Sequence, residues 1–187
     1  TEYTQQAFEL YIYAIQNGYL LEHHEISRFS FTNVVTLGIK LKEFAKTEKF
    51  IQDYAKYIDK EYRQNTVDFN NAKVFYSKDQ HQKALRILLT NEFKDILWNL
   101  NAKYLTMKIY FEAKDINAFA ITLKAFKNYV RRKPNIGYHQ TYFINVSKAL
   151  TTLMDIYKKP ESFSGFEFDA STPDIDWFNK ALKGMEK

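Results

Sequence analysis

Ala72-Lys73-Val74-Phe75-Tyr76 returns 35 residues later as Met107-Lys108-Ile109-Tyr110-Phe111. A small or thioether residue, then Lys, a β-branched residue and two aromatics, recurring at that distance, is the pattern of stacked helical hairpins. Each hairpin leaves an apolar face that only its neighbour can bury. Upstream, Gly38, Leu41, Phe50 and Tyr54 stand 34 residues before Ala72, Phe75, Ala84 and Leu88. Downstream, Ala84 to Ala118 is again 34, so the third hairpin is expected to have a turn one residue shorter. Small residues suit the points where helices cross closely, and the bulky side chains fill the space one turn later.

Composition supports helices. The 187 residues are 45% hydrophobic and 17% aromatic, with 16 Phe and 14 Tyr, which excludes disorder over most of the chain. With 5 Gly and 3 Pro, the chain lacks the turn residues that a β-sandwich or barrel uses. One domain, 1–187, is expected, all-α and without strands, with about eight or nine helices. There is no Cys, which excludes disulfides and thiolate chemistry. No apolar run is long enough to span a bilayer. The chain begins at Thr1 without a signal pattern, so it reads as part of something longer, with the cytoplasm as default location.

Along the chain, a first helix over residues 2–17 is expected to end at Gly18 in the left-handed conformation. Ser30 and Thr47 are candidate caps for the next two helices. Lys133-Pro134-Asn135-Ile136-Gly137 breaks the chain before a long helix over 138–159. Thr172-Pro173 is a candidate cap and first position for a last helix over 173–186. The expected core includes Val34, Leu37, Leu41, Phe50, Tyr54, Phe75, Ala84, Leu88, Tyr110, Ala118, Leu123, Val146 and Leu153.

Leu37-Gly38 and Leu41, with Phe50 and Tyr54 beyond, followed by Ala72, Phe75, Ala84 and Leu88, resemble tetratricopeptide repeats. Three such repeats would cover 31–60, 61–94 and 95–132, with helices 138–159 and 173–186 as a cap. The whole chain is also similar to the C-terminal part of a group of long, uncharacterised bacterial proteins with degenerate repeats of this type. The resemblance implies a right-handed α–α superhelix of helix hairpins, a TPR-like solenoid. Tyr62 and Ile96 stand where each repeat's closing proline would be, and Met107 replaces a small residue, which leaves the curvature open.

The resemblance places Lys73 and Lys108, beside Tyr76 and Phe111, on the inner groove, with Lys42 at the site equivalent to Tyr76. Lys with exposed aromatics suits a peptide or protein partner with acidic and apolar groups. Core aromatics with a solvated Lys edge is the competing reading. Val35, Phe69 and Tyr104 occupy the sites at which relatives clamp a terminal carboxylate, so no such clamp is expected. Among chemistry-bearing clusters, His23-His24-Glu25 lacks the spacing of zinc hydrolases, and no Gly-rich phosphate loop or nucleophile elbow occurs. No metal, cofactor or catalytic residue is therefore assigned, and the expected function is a non-catalytic interaction scaffold; an enzyme with an unrecognised site is an alternative.

Charge is unevenly placed. Residues 101–159 hold 11 Lys/Arg against 3 Asp/Glu, while residues 160–187 hold 3 against 6. Lys124, Lys127 and Arg131 line one edge of a helix, and single-stranded nucleic acid is the rival partner for this basic half. The acidic, Phe-rich stretch 161–176 is expected to fold back with its acids toward Lys124, Lys127 and Arg131. Trp177 and Phe178 would anchor the last helix, as a cap or as an autoinhibitory segment.

Overall fold

A computed structural model describes residues 2–132, 136–137 and 139–185. The breaking residues Lys133, Pro134 and Asn135, the start of the long helix at Tyr138 and the end of the last helix at residue 186 lie outside the described residues. Among the described residues there are nine α-helices and one two-stranded ribbon. In chain order these are α1 (Glu2–Gln16), β1 (Leu21–Glu22), β2 (Glu25–Ile26), α2 (Arg28–Lys40) and α3 (Phe44–Tyr54). They continue with α4 (Lys60–Ser77), α5 (His81–Thr90), α6 (Ile96–Glu112), α7 (Ile116–Arg132), α8 (His139–Lys158) and α9 (Ile175–Lys183). The chain divides into two compact units, Thr1–Ala102 and Lys103–Lys187, with the boundary inside α6.

The first unit is built on Phe8 and Ile15 of α1, Phe31, Val34 and Val35 of α2, Phe50 and Ile51 of α3, and Val74 of α4. Gly18 ends α1 with φ +77°, as expected, and the amide of Tyr19 reaches back to the carbonyl of Ala14. The expectation of no strands fails next. His23 and His24 take positive φ values of 51° and 67° between Leu21–Glu22 and Glu25–Ile26, a two-residue hairpin turn of the primed type. Ile26, 2% exposed, anchors this ribbon in the core, which a helical period does not reveal.

Two caps also move. Ser27, not Ser30, caps α2 by accepting the amide of Phe29. Thr47 lies inside α3, fully buried, with its hydroxyl donated to the carbonyl of Glu43. Asp95 caps α6 through the amides of Leu97 and Trp98 and also holds Arg28 at 3.0 Å.

The turns after α2, α4 and α6 share one geometry. Lys42, Asp79 and Lys114 are left-handed, with φ of 59°, 56° and 59°. The next amides, of Glu43, Gln80 and Asp115, reach back five residues to the carbonyls of Gly38, Phe75 and Tyr110. Gly38 therefore matches Phe75 rather than Ala72, and Thr47 matches Ala84 and Phe119 by the same bonding. The first spacing is 37 residues and the second 35, in both helices of the hairpin. No turn is shortened: Phe119 is fully buried where Ala118 was expected, and Ala118 is only half-buried. Lys42 is accordingly equivalent to Asp79 and Lys114, not to Tyr76.

Of the expected core, Val34, Phe50, Ala84, Leu88, Leu123, Val146 and Leu153 are buried. Leu37, Leu41, Tyr54, Phe75, Tyr110 and Ala118 are half-buried. In the second unit, Phe119, Leu123, Phe126 and Val130 of α7 bury one stripe against α8, where Phe143, Val146, Leu150 and Leu153 answer it. Phe126 and Phe143 meet edge to face at 6.2 Å.

Candidate peptide-binding site

In the second unit, Tyr104, Lys108 and Glu112 recur every four residues along one face of α6, and Phe111, three residues after Lys108, flanks them. The C-terminal segment is seated on that stripe. The Lys108 ammonium donates to Asp174 Oδ2 at 2.7 Å, and the Tyr104 hydroxyl donates to the same oxygen at 2.9 Å. The Trp177 indole N–H donates to Glu112 Oε1 at 2.7 Å. Lys108 also lies over the rings of Tyr104 and Trp177, at 5.6 and 5.2 Å from their centroids, so its charge is held by two π faces and one carboxylate.

Phe111 corrects an expectation. It is 7% exposed and packs edge to face on Phe119 and Trp177, so it is core rather than an open groove aromatic. Its partner Trp177 is 6% exposed, and Phe178 is fully buried. A series of rings, Phe163 to Phe166 to Phe168 to Phe178, carries the segment into the unit with centroid distances from 4.9 to 6.1 Å.

The tail thus folds back, with a different charge partner than expected. Asp174 goes to Lys108, and among the described residues no carboxylate forms an ion pair with Lys124, Lys127 or Arg131. The last helix also starts later than Thr172-Pro173 suggests. Asp174 takes the cap position with φ +56°, yet its side chain makes no cap bond, because both donors it serves are on α6. A non-glycine residue in that conformation carries strain of about 1 kcal/mol, which the contacts to α6 must offset. Burial first, and the Asp174 charge second, hold the Tyr142 phenol of α8 above its ordinary pKa.

In the first unit, α2 and α4 meet through a polar stripe. Lys73 donates to Thr36 Oγ1 at 2.6 Å, Thr36 donates to the carbonyl of Thr32, and Asn70 donates to Thr32 Oγ1 at 2.9 Å. Burial, and then the nearby Lys40 charge, pull the Lys73 pKa down from 10.5 to about 8. The buried Asn70 Oδ1 and Thr66 Oγ1 have no protein partner. Tyr76, half-buried, stacks on His81 at 5.5 Å.

Val35, Phe69 and Tyr104 are all buried, at 0%, 6% and 7%, and by the turn register Phe69 matches Tyr104 while Val35 matches Ala72, so the three are not one repeated site. Tyr104 still meets a carboxylate, that of the Asp174 side chain. Among the described residues, no three His, Asp or Glu side chains gather as a metal site requires, and no helix is long and apolar enough to cross a membrane. Lys108 and the Trp177 anchor were legible in the sequence. The Tyr104, Glu112 and Asp174 contacts were missed, because a pairing across 66 residues leaves no local periodic trace.

No protein-family model, curated protein or solved structure matches this chain.

Proposed function

We propose that this chain is a non-catalytic interaction module of tetratricopeptide type that recognises acidic-aromatic helical segments of a protein partner. The observation that carries the reading is the way the α6 stripe holds Asp174 and Trp177. A cation and a phenol take the acid, a carboxylate takes the indole N–H, and Phe111 supplies the apolar wall. This is helix recognition by side chains spaced three and four apart, with a charged pair setting register and a large aromatic supplying buried area. The chain's own tail is then a resident pseudo-ligand.

In the first unit, the Lys73 ammonium is buried against the Thr36 hydroxyl and 5.9 Å from the centre of the Phe69 ring, so it is a packed group and does not add a contact for the partner.

The experiment is binding of a labelled synthetic peptide covering residues 168–185 to the full-length Asp174→Ala/Trp177→Ala protein. The reading expects saturable binding, weakened about tenfold or more when Lys108→Glu is added. A peptide that does not bind, or binds equally with Lys108→Glu present, removes the α6 stripe as the site.

A further inference from the structure

A separate cleft lies between α7 and α8. Lys124 and Lys127 stand on one wall, and Lys158 on the other, around a volume of about 300 Å³. It continues, through shared Lys127 and Thr151, into a second recess of about 300 Å³ that reaches Lys148. The sequence builds it simply. Lys124 and Lys127 are three apart on α7, while Lys148, Thr151 and Lys158 follow at three and seven on α8, so each helix turns one edge of cations to the same gap.

Among the described residues these cations have no ion-pair partner. Lys46, Lys49, Lys78 and Lys108 each hold a carboxylate within 3.1 Å, whereas among the described residues none of the four cleft lysines forms an ion pair. The acidic tail was the natural partner for them, and its Asp174 is committed to Lys108. The cleft does contain one carboxylate, Asp155, which reduces its positive potential without pairing. Four like charges around one concave, solvent-open gap repel one another weakly through water, and a compact anion of several charges relieves that repulsion.

We infer that the α7–α8 cleft is a binding site for a compact ligand bearing two or more phosphoryl groups. The lining decides the class. Lys supplies point charges without the planar fork that reads a single carboxylate or phosphate in two bonds, so charge density rather than shape is recognised. Among the described residues no aromatic ring lines either recess, so a base finds no ring there to stack on and a nucleic acid would be held by its phosphates. The Thr151 hydroxyl is already donated to the carbonyl of Ser147, while the Asn128 amide and the Ser147 and Thr152 hydroxyls stand as neutral donors beside the ammonium groups. A recess of this size is at the small end of ligand sites and suits a run of phosphates better than a whole nucleotide. The inference is independent of the α6 stripe and its tail.

Calorimetric titration of the full chain with inorganic triphosphate at low and moderate salt tests it. The expected result is one saturable site whose affinity falls with salt, falls about tenfold or more in Lys124→Gln/Lys127→Gln, and rises in Asp155→Asn. All of these positions are at the surface, and circular dichroism establishes that each variant keeps the native helix content. Lys180→Gln, on α9 and outside the cleft, should change nothing. A heat that is absent, or that survives Lys124→Gln/Lys127→Gln, overturns the inference. So does binding of a single-stranded RNA oligonucleotide by a chain that ignores triphosphate.

Discussion

Lys108 Nζ lies 2.7 Å from Asp174 Oδ2, and Asp174 reaches it from a left-handed backbone at the cap position just before α9. The Lys108 side chain is 13% exposed and that of Asp174 33%, so the pair is sheltered on the lysine side and open to water on the other. Lys108→Glu would set two carboxylates against each other and leave Asp174 with the Tyr104 hydroxyl alone. A loss of about 1–2 kcal/mol in the stability of the tail's docking is expected, between the values for exposed and buried pairs. Limited proteolysis measures it: cleavage within 160–174 should accelerate in Lys108→Glu while α7 and α8 stay protected. Equal cleavage rates would show that the pair does not hold the tail.

Gly38 answers to Thr47. A Cβ at Gly38 would collide with the Thr47 hydroxyl and come within 3.2 Å of Thr47 Cβ and 3.3 Å of Phe8 Cε2. Gly38→Ala gains about 1 kcal/mol of helix propensity, and the overpacking should outweigh it, for a net loss of about 1–2 kcal/mol. Thr47→Ala removes the colliding hydroxyl, so the double variant should be more stable than the sum of the single losses by about 0.5 kcal/mol or more. Urea denaturation of the four proteins reads this coupling, and strict additivity would mean the two positions do not touch.

Lys73 gives the first unit a pH signature. With its pKa lowered to about 8 in the folded chain, it is charged in both states at pH 7, and the folded state then bears the full cost of burying the ammonium. Between pH 8 and 10.5 the unfolded chain binds more protons, so stability rises with pH across that window. Lys73→Met removes the buried charge and leaves Thr36 bonded to the carbonyl of Thr32. The variant should be more stable than the natural chain at pH 7 by about 1–3 kcal/mol, and the difference should shrink toward pH 10. A variant that is less stable at pH 7 would show that the ammonium is stabilising where it sits.

The helices were legible because their apolar residues keep a 3.6-residue period. The repeat register was less so. Matching side-chain types paired Gly38 with Ala72 and Ala84 with Ala118, since small residues at crossings look alike. The feature that recurs is a backbone one, the left-handed turn at Lys42, Asp79 and Lys114, and two lysines and an aspartate do not mark a left-handed position as Gly or Asn would. The ribbon at 21–26 was missed because neither His23 nor His24 is a usual left-handed residue pair. At the candidate site, the charge asymmetry correctly sent the acidic tail back to the basic half. It could not choose among the cations there. That choice depends on the rings of Tyr104, Phe111 and Trp177, which bring Asp174 to Lys108 through packing between segments far apart in sequence.

The central claim is that the α6 stripe accepts an acidic-aromatic segment in trans, displacing the chain's own. Amide hydrogen exchange of the natural full-length chain, with and without excess peptide 168–185, measures this most directly. The account predicts faster exchange across α9 on adding the peptide, and no change with a peptide in which the residues equivalent to Asp174 and Trp177 are Ala. Exchange across α9 that stays unchanged at saturating peptide, or that responds equally to both peptides, would contradict it.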